Sequence, residues 1–257
     1  MKDINIKDII SIAKQAGKEI LKIYEKDYAI EYKKSKYKGE EKSPLTEADK
    51  NSNNIINEEL KKINPKIPIL SEESKEIPYS KRKDWRYFWL IDPLDGTKEF
   101  IKKNGEFTIN IALINNGLPI LGVVYVPAKD IIYYGDENGS FKQENGNAVI
   151  KLEAKEKTKD KLIVVASRSH FNQETKEYIE NLGKKYKLIS AGSSLKLCLI
   201  AEGKADIYPR LGPTMEWDTA AAHAVVKFSG RKIYDYKTKK ELIYNKEILL
   251  NEWFVVE

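Results

Sequence analysis

One stretch constrains this chain of 257 residues more than any other, the sequence WLIDPLDGTKEF at 89–100. The apolar residues before Asp92 predict a buried strand. We expect the chain to turn at Asp92, because Pro93 cannot continue a hydrogen-bond ladder. Two carboxylates, those of Asp92 and Asp95, would then lie together at the end of a strand.

This turn has the composition of a cation site beside an anion site. Mg²⁺ prefers carboxylate and carbonyl oxygens, and the carbonyl group of Leu94 lies between the two acids. Gly96 lets the backbone approach a ligand closely, and a helix starting there would present free N–H groups to an anion. A surface Asx-turn followed by glycine explains these residues equally well on their own.

Three further acids follow patterns of their own. An apolar run at 68–71 predicts a short strand that ends at Glu72, a candidate third ligand. Asp218 falls in the first turn of a helix predicted from residue 216, where an acid also complements the helix dipole. Asp49 stands three residues after Thr46, which predicts a capped helix to about residue 62, and taken alone it is a capping acid.

These motifs occur in the order found in a known family. The chain resembles the inositol monophosphatase superfamily of metal-dependent phosphatases, with an acid after an apolar strand, Asp-Pro-Leu-Asp-Gly-Thr at 92–97 and Trp-Asp-x-Ala-Ala at 217–221. Within it, the chain is similar to 3′(2′),5′-bisphosphate nucleotidases. That similarity depends on Lys-Glu-Phe at 98–100 and on the motifs SRSH at 167–170, AGSSLKLC at 191–198 and YPR at 208–210.

The mixed helix and strand periodicities favour a layered α+β or α/β fold. The resemblance implies alternating helix and sheet layers, a sugar-phosphatase-like fold with two subdomains. We expect an N-terminal subdomain at 1–160 with most metal ligands, and a C-terminal one at 161–257 with the substrate contacts and the last ligand. An alternating pattern at 107–134 predicts an antiparallel meander.

The resemblance also implies roles for individual residues. The metal ligands for two or three Mg²⁺ ions would be Glu72, Asp92, the Leu94 carbonyl, Asp95 and Asp218. The catalytic residues that help to activate a metal-bound water would be Asp49 and Thr97. The substrate contacts would be Gly96, Thr97, Ser167, His170, Gly192, Lys196 and Asp218.

The implied activity is that of a Mg²⁺-dependent phosphomonoesterase. It would hydrolyse adenosine 3′,5′-bisphosphate to AMP and phosphate, with inhibition by lithium and a role in sulfur assimilation. An inositol or sugar monophosphatase with the same metal core is the alternative enzyme.

Some of these residues have simpler interpretations. Lys196 follows Ser193, the predicted N-cap of a helix through about Glu202, and burial statistics favour a solvated helix lysine there. The lysine-rich segment 33–42 is predicted to be a mobile loop, either a solvated linker or a lid over a polyanionic substrate. His223 is expected to be a packed or surface residue, and Cys198 a core thiol.

Composition narrows the function classes. The net charge of +6 comes from 45 basic and 39 acidic residues that are interleaved, and no aromatic-basic recognition motif stands out, so a nucleic-acid-binding protein is the weaker alternative. One cysteine excludes an intrachain disulfide and fits the cytoplasm. The first residues do not form a signal peptide, and no apolar run approaches membrane-spanning length. Peripheral membrane contact and the oligomeric state stay open.

Overall fold

The computed structural model describes residues 4–26, 30–34, 42–154, 161–167 and 171–257. The helices are α1 (Ile6–Tyr24), α2 (Glu47–Ile63), α3 (Tyr79–Arg82), α4 (Thr97–Ile101), α5 (Gln173–Glu180), α6 (Leu195–Ala201) and α7 (Ala220–Phe228). The strands are β1 (Ile30–Lys34), β2 (Lys42–Thr46), β3 (Ile69–Ser71), β4 (Tyr87–Asp95), β5 (Thr108–Asn115), β6 (Leu118–Val126), β7 (Ile131–Asp136), β8 (Gly139–Glu144), β9 (Ile150–Leu152), β10 (Leu162–Ser167), β11 (Tyr186–Ala191), β12 (Tyr208–Arg210), β13 (Ile233–Asp235) and β14 (Phe254–Val256).

The larger sheet is built mostly from consecutive strands. Within the described residues it has seven strands in the order β3 to β9. β3 runs parallel to β4, and every later neighbour is antiparallel. The antiparallel meander predicted at 107–134 is confirmed, with turns at 116–117 and at a short 3-10 helix, Pro127–Lys129.

Both faces of this sheet are covered by helices. Successive side chains of a strand point to opposite faces. In β5, Ile109 and Ile111 pack with residues of α1 and α2. Ala112 and Ile114 pack instead with residues of α6 and α7. Because β5 is buried on both faces, it carries apolar residues on both of them, including the apolar run from Ile111 to Ile114.

The second sheet repeats this arrangement. β10 and β11 are parallel, β12, β14 and β13 are antiparallel, and a bridge between Val164 and Ile207 joins the two groups. Val165 and Val256 face α6 and α7, whereas Val164 and Val255 pack against Ile179 of α5. The layers therefore alternate as helix, sheet, helix, sheet and helix, and the predicted fold class is confirmed.

One hydrophobic cluster spans the predicted boundary between the subdomains. It joins Leu90 and Val124 of the first sheet to Val165 of the second through the buried side of α7. Residue 160 itself lies outside the described residues, so the division into two subdomains stays a prediction. No helix in the described parts of the chain is both long and apolar enough to cross a membrane.

Candidate metal and phosphate site

Three carboxylates converge at one edge of the larger sheet. Glu72 follows β3, Asp92 lies in β4, and the two strands are parallel, so their carboxyl ends meet. Asp218 reaches the same place from the turn before α7. One carboxylate oxygen from each of the three lies within 4.8 Å of the others.

The electrostatics of this group favour a bound cation. Burial and the nearby carboxylates of Glu72, Asp95 and Asp218 raise the pKa of Asp92 well above its usual value. A cation relieves the same repulsion without protonation, and an all-oxygen donor set suits a hard ion such as Mg²⁺. The residues present therefore fit the implied metal.

The strand that carries Asp92 does not end there. The predicted turn at Asp92 is wrong, because β4 continues to Asp95 with a register shift between these two residues. The shift accommodates Pro93, which has no N–H to donate, and a bulge of this kind redirects side chains at a sheet edge. The N–H of Leu94 donates to Asp92 Oδ1 at 3.1 Å.

Asp95 lies beside the three carboxylates and faces the second half of the chain. Its Oδ2 accepts hydrogen bonds from the N–H of Ser194 at 2.7 Å and from Asn110 Nδ2 at 3.4 Å. Burial raises the pKa of Asp95 to about 6, although the Lys196 ammonium and the Ser194 amide act in the opposite direction.

Asp49 and Thr97 are in contact. Thr97 Oγ1 donates to Asp49 Oδ1 at 3.1 Å. The other oxygen of Asp49 accepts from the N–H and the hydroxyl of Thr46 at 2.7 and 2.6 Å, as in a capping box. Burial raises the pKa of Asp49, while the bonds from Thr46 lower it. Asp49 thus caps α2, as predicted, and also holds Thr97.

Lys33 contacts Glu72, which the sequence did not predict. Its Nζ lies 2.9 Å from Glu72 Oε1 and also pairs with Glu73. Burial lowers the pKa of Lys33, but the two glutamates raise it overall. The predicted loop at 33–42 is wrong at its ends, which lie in the paired strands β1 and β2, and residues 35–41 lie outside the described residues. No local pattern marks a lysine whose partners are about 40 positions away.

Lys196 is buried, so the solvated-lysine interpretation is wrong. It is 6% exposed, and its Nζ donates to the carbonyls of Ser193 at 2.6 Å and Ala191 at 3.4 Å. Burial lowers the pKa of Lys196 to about 8, opposed by Asp95 and reinforced by Arg210. Ser193 is not the N-cap, because it has a φ of +46° and α6 begins one residue later, after Ser194.

Gly192 is demanded by close packing. A Cβ there would lie 2.8 Å from the carbonyl oxygen of Glu106. The N–H of Gly192 donates to Glu106 Oε2 at 2.8 Å. Ser167 pairs with Ala191 at the ends of the parallel strands β10 and β11, so it lies close to this glycine. His170 lies outside the described residues.

Gly96 is the N-cap of the short helix α4 and lies in the left-handed region, with a φ of +89°. A Cβ at this position would lie 3.2 Å from Ser193 Cβ, so the two halves of the chain approach closely here. The predicted helix after Gly96 is confirmed, although it is only five residues long.

Asp218 precedes its helix and does not lie in it. The predicted helix start at residue 216 is wrong, since α7 begins at Ala220. Asp218 Oδ2 accepts from the N–H of Met215 at 2.9 Å across the turn. Because Asp218 does not lie in the first turn of α7, an interaction with the helix dipole does not explain this acid.

Arg210 belongs to the YPR motif at 208–210, and the sequence did not predict a role for it. It is buried, and it donates to Thr214 Oγ1 and to the carbonyl of Pro213, both at 2.6 Å. The predictions for His223 and Cys198 are confirmed in their packed form. His223 is 1% exposed with Nδ1 2.9 Å from the Tyr244 hydroxyl, and Cys198 is fully buried.

Comparison with known proteins agrees with this geometry. The inositol monophosphatase family model matches residues 5–255. The 3′(2′),5′-bisphosphate nucleotidase CysQ of Salmonella typhimurium is 42% identical over 251 residues, covering 98% of both chains. CysQ of Escherichia coli strain K12 is 42% identical over 248 residues, 96% of this chain and 97% of that one. The crystal structure of CysQ from Bacteroides thetaiotaomicron, a bacterial member of the same family, superposes with a TM-score of 0.85 at 43% identity, covering 98% of this chain and 96% of that chain. The chain belongs to the inositol monophosphatase family.

Proposed function

We propose that the protein is a Mg²⁺-dependent 3′(2′),5′-bisphosphate nucleotidase that converts adenosine 3′,5′-bisphosphate to AMP and phosphate. The observation that carries the proposal is the convergence of Glu72, Asp92 and Asp218 in a chain 42% identical to CysQ nucleotidases. We further propose a cytoplasmic setting, which the single buried cysteine favours.

Five groups would hold two or three Mg²⁺ ions: Glu72, Asp92, the Leu94 carbonyl, Asp95 and Asp218. Bound Mg²⁺ would lower the pKa of the attacking water and neutralise charge on the phosphoryl oxygens. The carboxylates keep their positions through the parallel β3 and β4 pair and through the hydrogen bonds already described.

Thr97 and Asp49 would orient and deprotonate the attacking water. The hydroxyl proton of Thr97 is directed at Asp49 Oδ1, which leaves the lone pairs of Thr97 Oγ1 able to accept from the water. Asp49 would take up the proton passed along this pair.

The substrate phosphates would lie against Gly96, Thr97, Ser167, His170, Gly192, Lys196 and Asp218. Lys196 supplies a positive charge at the boundary between the halves of the chain. Gly192 donates its N–H to Glu106, so an anionic substrate group would take the place of this carboxylate.

The test is a comparison of substrates. Purified protein with Mg²⁺ should release phosphate from adenosine 3′,5′-bisphosphate much faster than from inositol 1-phosphate, and millimolar lithium should inhibit the reaction. Preference for the inositol ester would instead identify an inositol monophosphatase with the same metal core. Retention on duplex DNA with a steep salt dependence, and no phosphate release, would identify a nucleic-acid-binding protein.

A further inference from the structure

Asp218 belongs to the carboxylate group but lies outside the helix that follows it. The residues before Ala220 form a turn. A helix would fix the backbone of a ligand through its own repeating hydrogen bonds. A turn lacks those repeating bonds, so other contacts must hold its backbone. The position of a ligand is then fixed by the residues that make these contacts.

The backbone of Glu216 supplies several of these contacts. Its carbonyl oxygen accepts from the N–H groups of Thr219 at 3.2 Å and of Ala220 at 3.1 Å. The same oxygen accepts from Thr219 Oγ1 at 3.1 Å. The N–H of Glu216 donates to the carbonyl of Leu249 at 2.9 Å. These bonds close the turn around Asp218.

The side chain of Glu216 is fully buried and binds a second segment. Oε2 accepts from the N–H of Asn245 at 2.6 Å, and Oε1 accepts from the N–H of Lys246 at 3.0 Å. Lys246 Nζ lies 2.7 Å from Oε1. A buried carboxylate is costly unless it is paired and hydrogen-bonded, and both oxygens of Glu216 are.

Arg82 binds the same second segment. Its guanidinium donates to Asn245 Oδ1 at 2.9 Å and to the carbonyls of Lys246 at 2.7 Å and Glu247 at 2.8 Å. Arg82 ends α3, shortly before the strand that carries Asp92. Residues 245–247 therefore connect the turn of Asp218 to the chain that leads into β4.

We propose that Glu216 is a positioning residue of the metal site, which keeps the carboxylate of Asp218 within reach of Glu72 and Asp92. Glu216 is not itself a ligand, because its oxygens are directed at Asn245 and Lys246. The inference rests on the proposed function only in requiring that Mg²⁺ binds to the three carboxylates. Loss of a partner outside the ligand set typically costs about 10–100-fold in metal affinity.

The substitution Glu216→Gln tests this role in the full chain. Glutamine keeps the side-chain volume but turns one acceptor into an N–H₂ group that faces a backbone donor. Titration calorimetry with Mg²⁺, without substrate, should show a dissociation constant raised about tenfold or more. Lys246→Met, which removes the ion pair and leaves both backbone donors, should raise the dissociation constant by less and carries the test if Glu216→Gln does not fold.

Glu202→Gln is the matched control. Glu202 is also a largely buried acid, paired with Lys142 at 3.0 Å and Lys204 at 2.8 Å, and none of these partners is a proposed ligand. We expect it to lower thermal stability while leaving the Mg²⁺ dissociation constant unchanged. A wild-type dissociation constant in both Glu216→Gln and Lys246→Met, or an equal rise in Glu202→Gln, would overturn this inference alone. If the wild-type protein binds no Mg²⁺, both the proposed metal site and this inference are wrong.

Discussion

At the scale of single residues, the proposed contact between Lys196 and the substrate would make substrate binding depend on pH. Burial lowers the pKa of Lys196 to about 8, so its positive charge is present below pH 8 and is lost above it. A phosphate bound at this ammonium would lose its partner on deprotonation. We expect KM for adenosine 3′,5′-bisphosphate to rise by up to about tenfold per pH unit above pH 8. Initial rates between pH 7 and 9.5 measure this.

Lys196→Arg provides the control for that profile. A guanidinium keeps its charge over the whole range, so the alkaline rise in KM should disappear even if the affinity at pH 7 is lower. A flat KM profile in the wild-type protein would show that Lys196 does not contact the substrate phosphate.

The substitution Asp95→Asn separates the effect of the charge at this position from the effect of packing. Its Oδ2 accepts from the Ser194 N–H, and an asparagine oxygen accepts the same bond. Asp95→Asn should therefore keep the fold and lose turnover by more than about 100-fold, beyond the loss typical of groups outside the ligand set. Phosphate release and circular dichroism melting measure the two effects.

Asp206→Asn makes the same chemical change elsewhere in the chain. Asp206 is buried and accepts from the N–H of Ile163 at 2.7 Å, in the second sheet. Its turnover should match that of the wild-type protein. Near-normal turnover in Asp95→Asn, or equal losses in both variants, would contradict the proposed metal ligation by Asp95.

The sequence revealed residues in local motifs better than residues in distant contacts. Asp92, Asp95 and Asp218 stand in ordered motifs whose chemistry is local, and each could be named from the sequence. Lys33 and Glu106 could not, because their partners Glu72 and Gly192 are brought to them only by the folded chain. The burial of Lys196 has the same origin, since a helix lysine has no local mark that distinguishes the core from the surface.

At the scale of elements, a glycine in β6 allows α7 to pack closely against this strand. A Cβ at Gly122 would lie 2.2 Å from the carbonyl oxygen of Ala221 and 2.7 Å from Ala224 Cβ. Gly122→Ala must push α7 away from the sheet, which should cost about 1–3 kcal/mol of unfolding free energy. Urea unfolding measures this cost.

Gly212→Ala is the matched substitution without a clash. Among the residues that the structure describes, a Cβ at Gly212 would meet only Asn172 Nδ2, at 3.9 Å. We expect a change within about 0.5 kcal/mol, as for most substitutions that disturb no packed neighbour. Equal losses in Gly122→Ala and Gly212→Ala would contradict the close-packing argument.

Elements with strong periodicity were predictable, and their ends were not. The alternating pattern at 107–134 predicted the antiparallel strands β5 to β7. β4 passes through Pro93 because a register shift removes the need for its N–H. The start of α7 is delayed to Ala220 because Glu216 and Asp218 make hydrogen bonds across a turn, which no helical pattern reveals.

At the scale of the whole molecule, the proposed metal site links parts of the chain that are far apart in sequence. Glu72 and Asp92 lie at the edge of the first sheet, whereas Asp218 lies in the turn just before α7. The unfolded chain separates these carboxylates, so Mg²⁺ should bind the folded state almost exclusively. A ligand of this kind stabilises by about 2.7 kcal/mol at 100 times its dissociation constant.

Mg²⁺ should therefore raise the melting temperature by about 5–10 °C, given about 2–4 °C per kcal/mol for a chain of this size. Scanning calorimetry in EDTA and in saturating MgCl₂, at matched ionic strength, measures the shift. Because burial and neighbouring carboxylates raise the pKa of Asp92, protons compete with Mg²⁺, and the shift should shrink as the pH falls. Asp218→Asn should lose most of the shift at every pH. An unchanged shift in that variant would mean that Mg²⁺ binds elsewhere in the molecule.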